Sequence, residues 1–122
     1  MRRPFVIDIR SKPEGYLEAL EAWLQSDRPV LYCELSRPKK RMFMGLETWF
    51  RRYTSTDINR ICARIVDPVI HKDRMTFEGE LTSHGSLGDQ FDRLQQYNLS
   101  TRMLIETGSR RVDTIYAFDI TY

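Results

Sequence analysis

Residues 58–81, INRICARIVDPVIHKDRMTFEGEL, decide the fold class of this chain. Ile61, Ala63 and Ile65 alternate with Arg60, Cys62 and Arg64, the period of two by which a strand buries one face. The alternation predicts a strand from Ile58 to Val66. Asp67-Pro68 interrupts it. Proline has no amide to give to a ladder, so the pair predicts a bulge or an edge position. His71-Lys72-Asp73-Arg74 supplies a polar turn, after which Met75, Phe77, Gly79 and Leu81 alternate again. The whole reads as a β-hairpin.

Towards the C-terminus, Leu87, Phe91 and Leu94 share one side of a helix expected over about Ser86–Gln96. Two strands follow, one through Leu99, Thr101, Met103 and Ile105, the other from Val112 to Ile120, with a turn at Thr107-Gly108-Ser109-Arg110. Towards the N-terminus, Phe5–Ile9 reads as a strand. Ser11-Lys12-Pro13-Glu14 has the form of a capping box, in which a serine hydroxyl and a glutamate three residues on satisfy the first helical amides. Leu17, Leu20 and Leu24, flanked by Tyr16 and Trp23, then predict a helix over about residues 12–26. Pro29 ends the connection, Val30–Leu35 reads as a strand, Arg37–Arg41 as a turn and Met42-Phe43-Met44 as an extended run. Leu46–Tyr53 fits either a short helix or an irregular loop. The order of elements predicts a single α+β domain, residues 1–122. It has a mixed, mainly antiparallel sheet of about six or seven strands with two or three helices.

The 122 residues suffice for one domain with its own core. At 41% hydrophobic and 30% charged, the chain is not of the disordered class. A net charge of +2 is too small to announce a nucleic-acid binder, yet it is unevenly spread. Residues 1–61 carry 12 basic and 8 acidic side chains, residues 62–122 carry 7 and 9. After Met1-Arg2-Arg3 the apolar stretch is only Phe5-Val6-Ile7, too short for a signal peptide, and no run reaches membrane-spanning length. The expectation is a cytoplasmic protein and no membrane. Cys33 and Cys62 sit in apolar strand-like runs and are expected as buried free thiols.

No metal or cofactor is expected. The two cysteines have no histidine cluster beside them, the carboxylates Glu78, Glu80, Asp113 and Asp119 are scattered over strands, and no calcium loop is present. His84-Gly85-Ser86-Leu87-Gly88 has neither dinucleotide-site glycine spacing nor a P-loop lysine. Of the two histidines, His71 lies in a charged turn. His84 precedes a helix and is the candidate base for a nucleophile at Ser100, since a serine needs a base within hydrogen-bond reach. The candidate binding residues are Arg37, Lys39, Lys40, Arg41, Trp49, Arg51, Arg52 and Tyr53, with Met42, Phe43 and Phe50 interleaved. Cations beside aromatics suit phosphates and stacked bases, and the same residue types are enriched at protein interfaces.

The stretch Ile58–Ile120, roughly half the chain, resembles the prohead maturation proteases of tailed phages. The segments that carry the likeness are Asp57-Ile58-Asn59-Arg60-Ile61, Phe77-Glu78-Gly79-Glu80-Leu81, Gly85-Ser86-Leu87-Gly88 with the helix to Leu94, Leu99-Ser100-Thr101-Arg102-Met103 and Ile115-Tyr116-Ala117-Phe118-Asp119-Ile120. The resemblance implies a β-rich protease-like fold and places Ser100, with Thr101 beside it, where such proteases carry their serine. Their upstream histidine has no counterpart. Thr56 or Asn59 stands in that neighbourhood, and no histidine lies between Met1 and Ile70. The resemblance with that departure implies a phage-encoded, non-catalytic interaction protein of the host cytoplasm or the virion, one that binds a viral assembly or host protein. The alternatives are a serine protease using Ser100 and a nucleic-acid binder through residues 37–53. Self-association into a homo-oligomer is compatible with each.

Overall fold

The computed structural model describes residues 2–26 and 30–122, and the connection expected to end at Pro29 lies outside them. Strand β1 (Arg2–Asp8) passes through a 3-10 turn, Ile9–Ser11, towards helix α1 (Tyr16–Leu24). Strand β2 (Leu31–Leu35), helix α2 (Leu46–Thr54) and a second 3-10 turn, Ile58–Arg60, follow. The hairpin β3 (Ile61–His71) and β4 (Thr76–Ser83) leads to the short helix α3 (Gly88–Arg93), then β5 (Asn98–Ile105) and β6 (Val112–Thr121). The strands form one sheet in the order β1-β4-β3-β2-β6-β5. β2 and β6 run parallel and the other described pairs are antiparallel. The α+β class and the mixed, mainly antiparallel sheet are those expected.

The sheet is curled. Three strand steps separate β4 from β6, about 14 Å on a flat sheet, yet the rings of Phe77 and Phe118 are 5.8 Å apart. The two meet across a concave interior. Helix α1 closes it, with Trp23 edge-on to Phe118 at 5.0 Å and Leu20 fully buried. Phe5, Leu81, Phe91 and Ile120 complete the core.

Several expected elements differ in detail. α1 begins at Tyr16, and the capping box does not form. Ser11 donates its hydroxyl to the Asp8 carbonyl instead, and Glu14 pairs with Arg111. The segment before α1 is held by the sheet: the Val112 amide donates to the Glu14 carbonyl at 2.8 Å, and Gly15 then starts the helix at φ +88°. A Cβ on Gly15 would stand 2.7 Å from the Val112 oxygen, so only glycine fits both the space and the left-handed backbone.

Met42-Phe43-Met44 is not a strand. β2 already has β3 and β6 on its two sides, and residues 41–44 instead close a turn in which the Met44 amide donates to the Arg41 carbonyl. β3 starts at Ile61 rather than Ile58, because the Asp57 carboxylate accepts from the Asn59 amide and winds residues 58–60 into a turn. Cys62, on the face opposite Ala63 with Arg60 and Arg64, is a buried free thiol like Cys33, as expected. The His84 amide donates to its carbonyl, the Leu87 amide donates to that of Ile61, and the loop into α3 covers this face. α3 is shorter than Ser86–Gln96, since the Arg3 guanidinium takes the Leu94 and Asp92 carbonyls and ends the helix. The Asp67-Pro68 interruption is a bulge, with the register shifting between Val66 and Val69 and Asp67 at φ 53°.

Candidate functional site

The sheet has a second face, over β2, β6 and β5. Glu34, directly paired in register with Asp119, which is itself paired with Ser100, shares it with Arg102 two residues on. Arg102 is completely buried, and all five of its donors are used. Nε and one Nη donate to Asp119 at 3.0 and 2.5 Å, the same Nη to Glu34 at 3.1 Å, and the other Nη to the carbonyls of Tyr53 and Ser55 at 3.2 and 3.0 Å. Arg52 then reaches in from α2 to the other Glu34 oxygen at 2.7 Å, and the Asp57 amide donates to Glu34 at 3.2 Å. Two guanidiniums thus balance two carboxylates. Burial raises Asp119 above the usual carboxylate range, and its bonds to Arg102 offset only part of that cost. For Arg102, burial works against the charge, but the hydrogen bonds and charges of Asp119 and Glu34 outweigh it and raise the guanidinium. Sequence reasoning missed Glu34 and Arg102 as a pair. The signal was present: one charge inside each of the apolar runs Val30–Leu35, Leu99–Ile105 and Tyr116–Ile120, the central cation Arg102 opposite in sign to both carboxylates once the strands are neighbours.

This lattice holds α2 in place. The helix has no fully buried residue, and its further contacts include Tyr53 and Phe50 edge-on to Tyr116 and the Tyr53 hydroxyl on the Met103 carbonyl at 2.9 Å. Arg37 donates to the neighbouring Thr101 carbonyl at 2.7 Å. These two side chains occupy acceptors on β5, the last strand of the sheet, and so blunt an edge that would otherwise invite another strand. Glu47 in the first turn of α2, paired with Arg51 at 2.9 Å, and the cations in its last turn suit the helix dipole.

The predicted binding residues therefore divide. Arg37, Arg52 and Tyr53 are tied into the fold, and Trp49 is half-buried against Tyr53 at 5.6 Å. Lys39, Lys40, Arg41 and Arg51 stand exposed. Between them the turn 41–44 lifts Met42 and Phe43 out of the molecule, 89% and 95% exposed, beside Leu46 at 74% and Phe50 at 51%. Ser36, at φ 65°, turns the chain off β2. Behind it opens a cleft of about 710 Å3 lined by Arg37, Lys39, Arg41, Arg52 and Arg60, with Asp57 as the one carboxylate and Met44 as an apolar wall.

Ser100 and His84 are not brought together. Strands β3, β2 and β6 lie between β5 and the end of β4. Ser100 shares its hydroxyl hydrogen bond with Thr121 at 3.0 Å, and the exposed His84 ring stacks on Tyr32 at 5.4 Å. Thr101 points into the core and bonds the Tyr16 hydroxyl at 2.7 Å. Among the described residues no group of three or more His, Cys, Asp or Glu is placed to hold a metal ion, and no helix is long and apolar enough to cross a membrane. No protein-family model, curated protein or solved structure matches the chain, so the likeness to prohead proteases rests on the short segments quoted above.

Proposed function

We propose that this chain is a phage-encoded, non-catalytic interaction protein that binds a viral assembly or host protein through residues 37–53. The observation that carries the reading is the Met42–Phe43 tip. Two large apolar side chains in succession stand almost fully in water, followed along the chain by the exposed Leu46 and Phe50 and flanked in sequence by the exposed Lys39, Lys40, Arg41 and Arg51. Exposed apolar groups gathered in one place within a polar rim are the form of a docking surface. The cations specify the occupant, a protein whose apolar pocket is bordered by carboxylates. The resemblance to prohead proteases supplies the phage setting. The lack of a base at Ser100 argues for binding rather than hydrolysis, because a serine hydroxyl without one is a poor nucleophile.

The test is affinity capture from phage-infected cells with folded variants compared side by side. Phe43→Asp and Arg51→Ala are expected to lose the captured protein, and Ser100→Ala to keep it. A truncated hot spot costs at least about 2 kcal/mol, roughly thirtyfold in affinity. A second reading, nucleic-acid binding, is favoured by the excess of cations at the cleft. It requires binding that falls steeply with salt.

A further inference from the structure

The cleft behind the turn 36–44 differs in kind from the apolar tip. Its lining holds five cations against one carboxylate, in a chain whose whole net charge is +2. Such a concentration of one sign is costly unless something neutralises it. Asp57 offsets only one of the five positive charges. Glu34 offsets Arg52, but lies beneath it, shared with Arg102.

Three of the cations are anchored from different elements. Arg37 is held by the Thr101 carbonyl on β5, Arg52 by Glu34 on β2 and Arg60 by the Leu35 carbonyl. Arg37 and Arg60 each commit a single donor in this way, so most of their N–H groups remain for a ligand. Lys39 and Arg41 form the exposed rim. Guanidiniums each held through an Nη and gathered round one space are preorganised for a tetrahedral oxyanion, which their remaining N–H groups can meet. A volume of about 710 Å3 is that of a small-molecule site rather than of a single ion. We propose that this cleft binds a compact phosphate anion of pyrophosphate to nucleoside-diphosphate size. Arg37, Arg52 and Arg60 hold the phosphates, Lys39 and Arg41 close over them, and Met44 offers an apolar wall.

The test is calorimetric titration of the full chain with inorganic pyrophosphate at low salt. Saturable binding at one site per chain is expected. It should weaken by at least about tenfold in Lys39→Glu/Arg41→Glu, a pair of exposed side chains whose replacement spares the buried lattice, and further in Arg60→Ala. The charge reversal Arg93→Glu on α3, away from the cleft, should leave it unchanged. Three results would overturn the proposal: titration that never saturates, equal losses in the Arg93→Glu control, or capture of a single-stranded oligonucleotide that pyrophosphate does not displace. The last assigns the cations to a nucleic-acid backbone instead.

Discussion

Arg102 is the residue on which the second face of the sheet depends. Removing one member of a buried ion pair leaves its partners charged and unsatisfied, at a cost of about 3–5 kcal/mol. Arg102→Ala strands Asp119 and leaves Glu34 with Arg52 as its one cation, so urea unfolding is expected to show a loss of that size. A loss under about 1 kcal/mol would mean that water reaches the pair. The titrating groups in the core give a second prediction. Burial pushes the Cys62 thiol from 9.0 up to about 12, raises Cys33 well above 9.0, and lifts the Tyr16 hydroxyl from 10.0 to about 12 despite its bond to Thr101. Each is an acid whose protonated form the fold favours. The unfolded chain therefore ionises first as pH rises, and stability is retained below about pH 9 and lost progressively between pH 9 and 12. Chemical denaturation across that window checks it, and a flat profile would contradict it. In the native protein at neutral pH, both thiols should react slowly with a bulky disulfide reagent.

At the scale of elements, the start of α1 separates two explanations that the sequence leaves side by side. The Ser11–Glu14 pattern suggests a side-chain cap, whereas the helix is set by Gly15 and the Val112–Glu14 hydrogen bond. Ser11→Ala should thus change the melting temperature little. Gly15→Ala should destabilise the fold by at least about 1 kcal/mol, from the positive φ alone. Equal effects would restore the capping box. Strands with strict alternation were legible because tertiary contacts agree with their period, as at Ile61, Ala63 and Ile65 or Phe77 and Leu81. The bulge at Asp67-Pro68 was legible from proline chemistry. Met42-Phe43-Met44 misled because apolar composition alone does not supply a free strand edge to pair with. α2 was ambiguous because it is short and buries no side chain fully, although Leu46, Trp49, Phe50 and Tyr53 do recur at the spacing of an apolar helical stripe.

For the whole molecule, a curled sheet closed by α1 carries on its outer side a helix and turn held mainly by one ionic lattice. The candidate residues 37–53 were legible as a group from their basic and aromatic composition. Their division into anchors and free side chains was not, because it depends on which strand Arg37, Arg52 and Tyr53 happen to reach. Glu34 and Arg102 were hidden for the same reason: only the strand order makes them neighbours. The exposed tip leaves self-association as one way to cover Phe43, and sedimentation of Phe43→Asp against the unmodified chain reads that directly. A shared monomeric mass would assign the tip to a different protein. We propose that binding at this tip, and not chemistry at Ser100, is the protein's work. The most direct measurement is capture from infected cells by the unmodified chain, Phe43→Asp and Ser100→Ala, each first shown to be folded by thermal melting. A partner retained by Ser100→Ala and lost by Phe43→Asp is expected. Retention by Phe43→Asp together with loss in Ser100→Ala would contradict it and return the function to the serine.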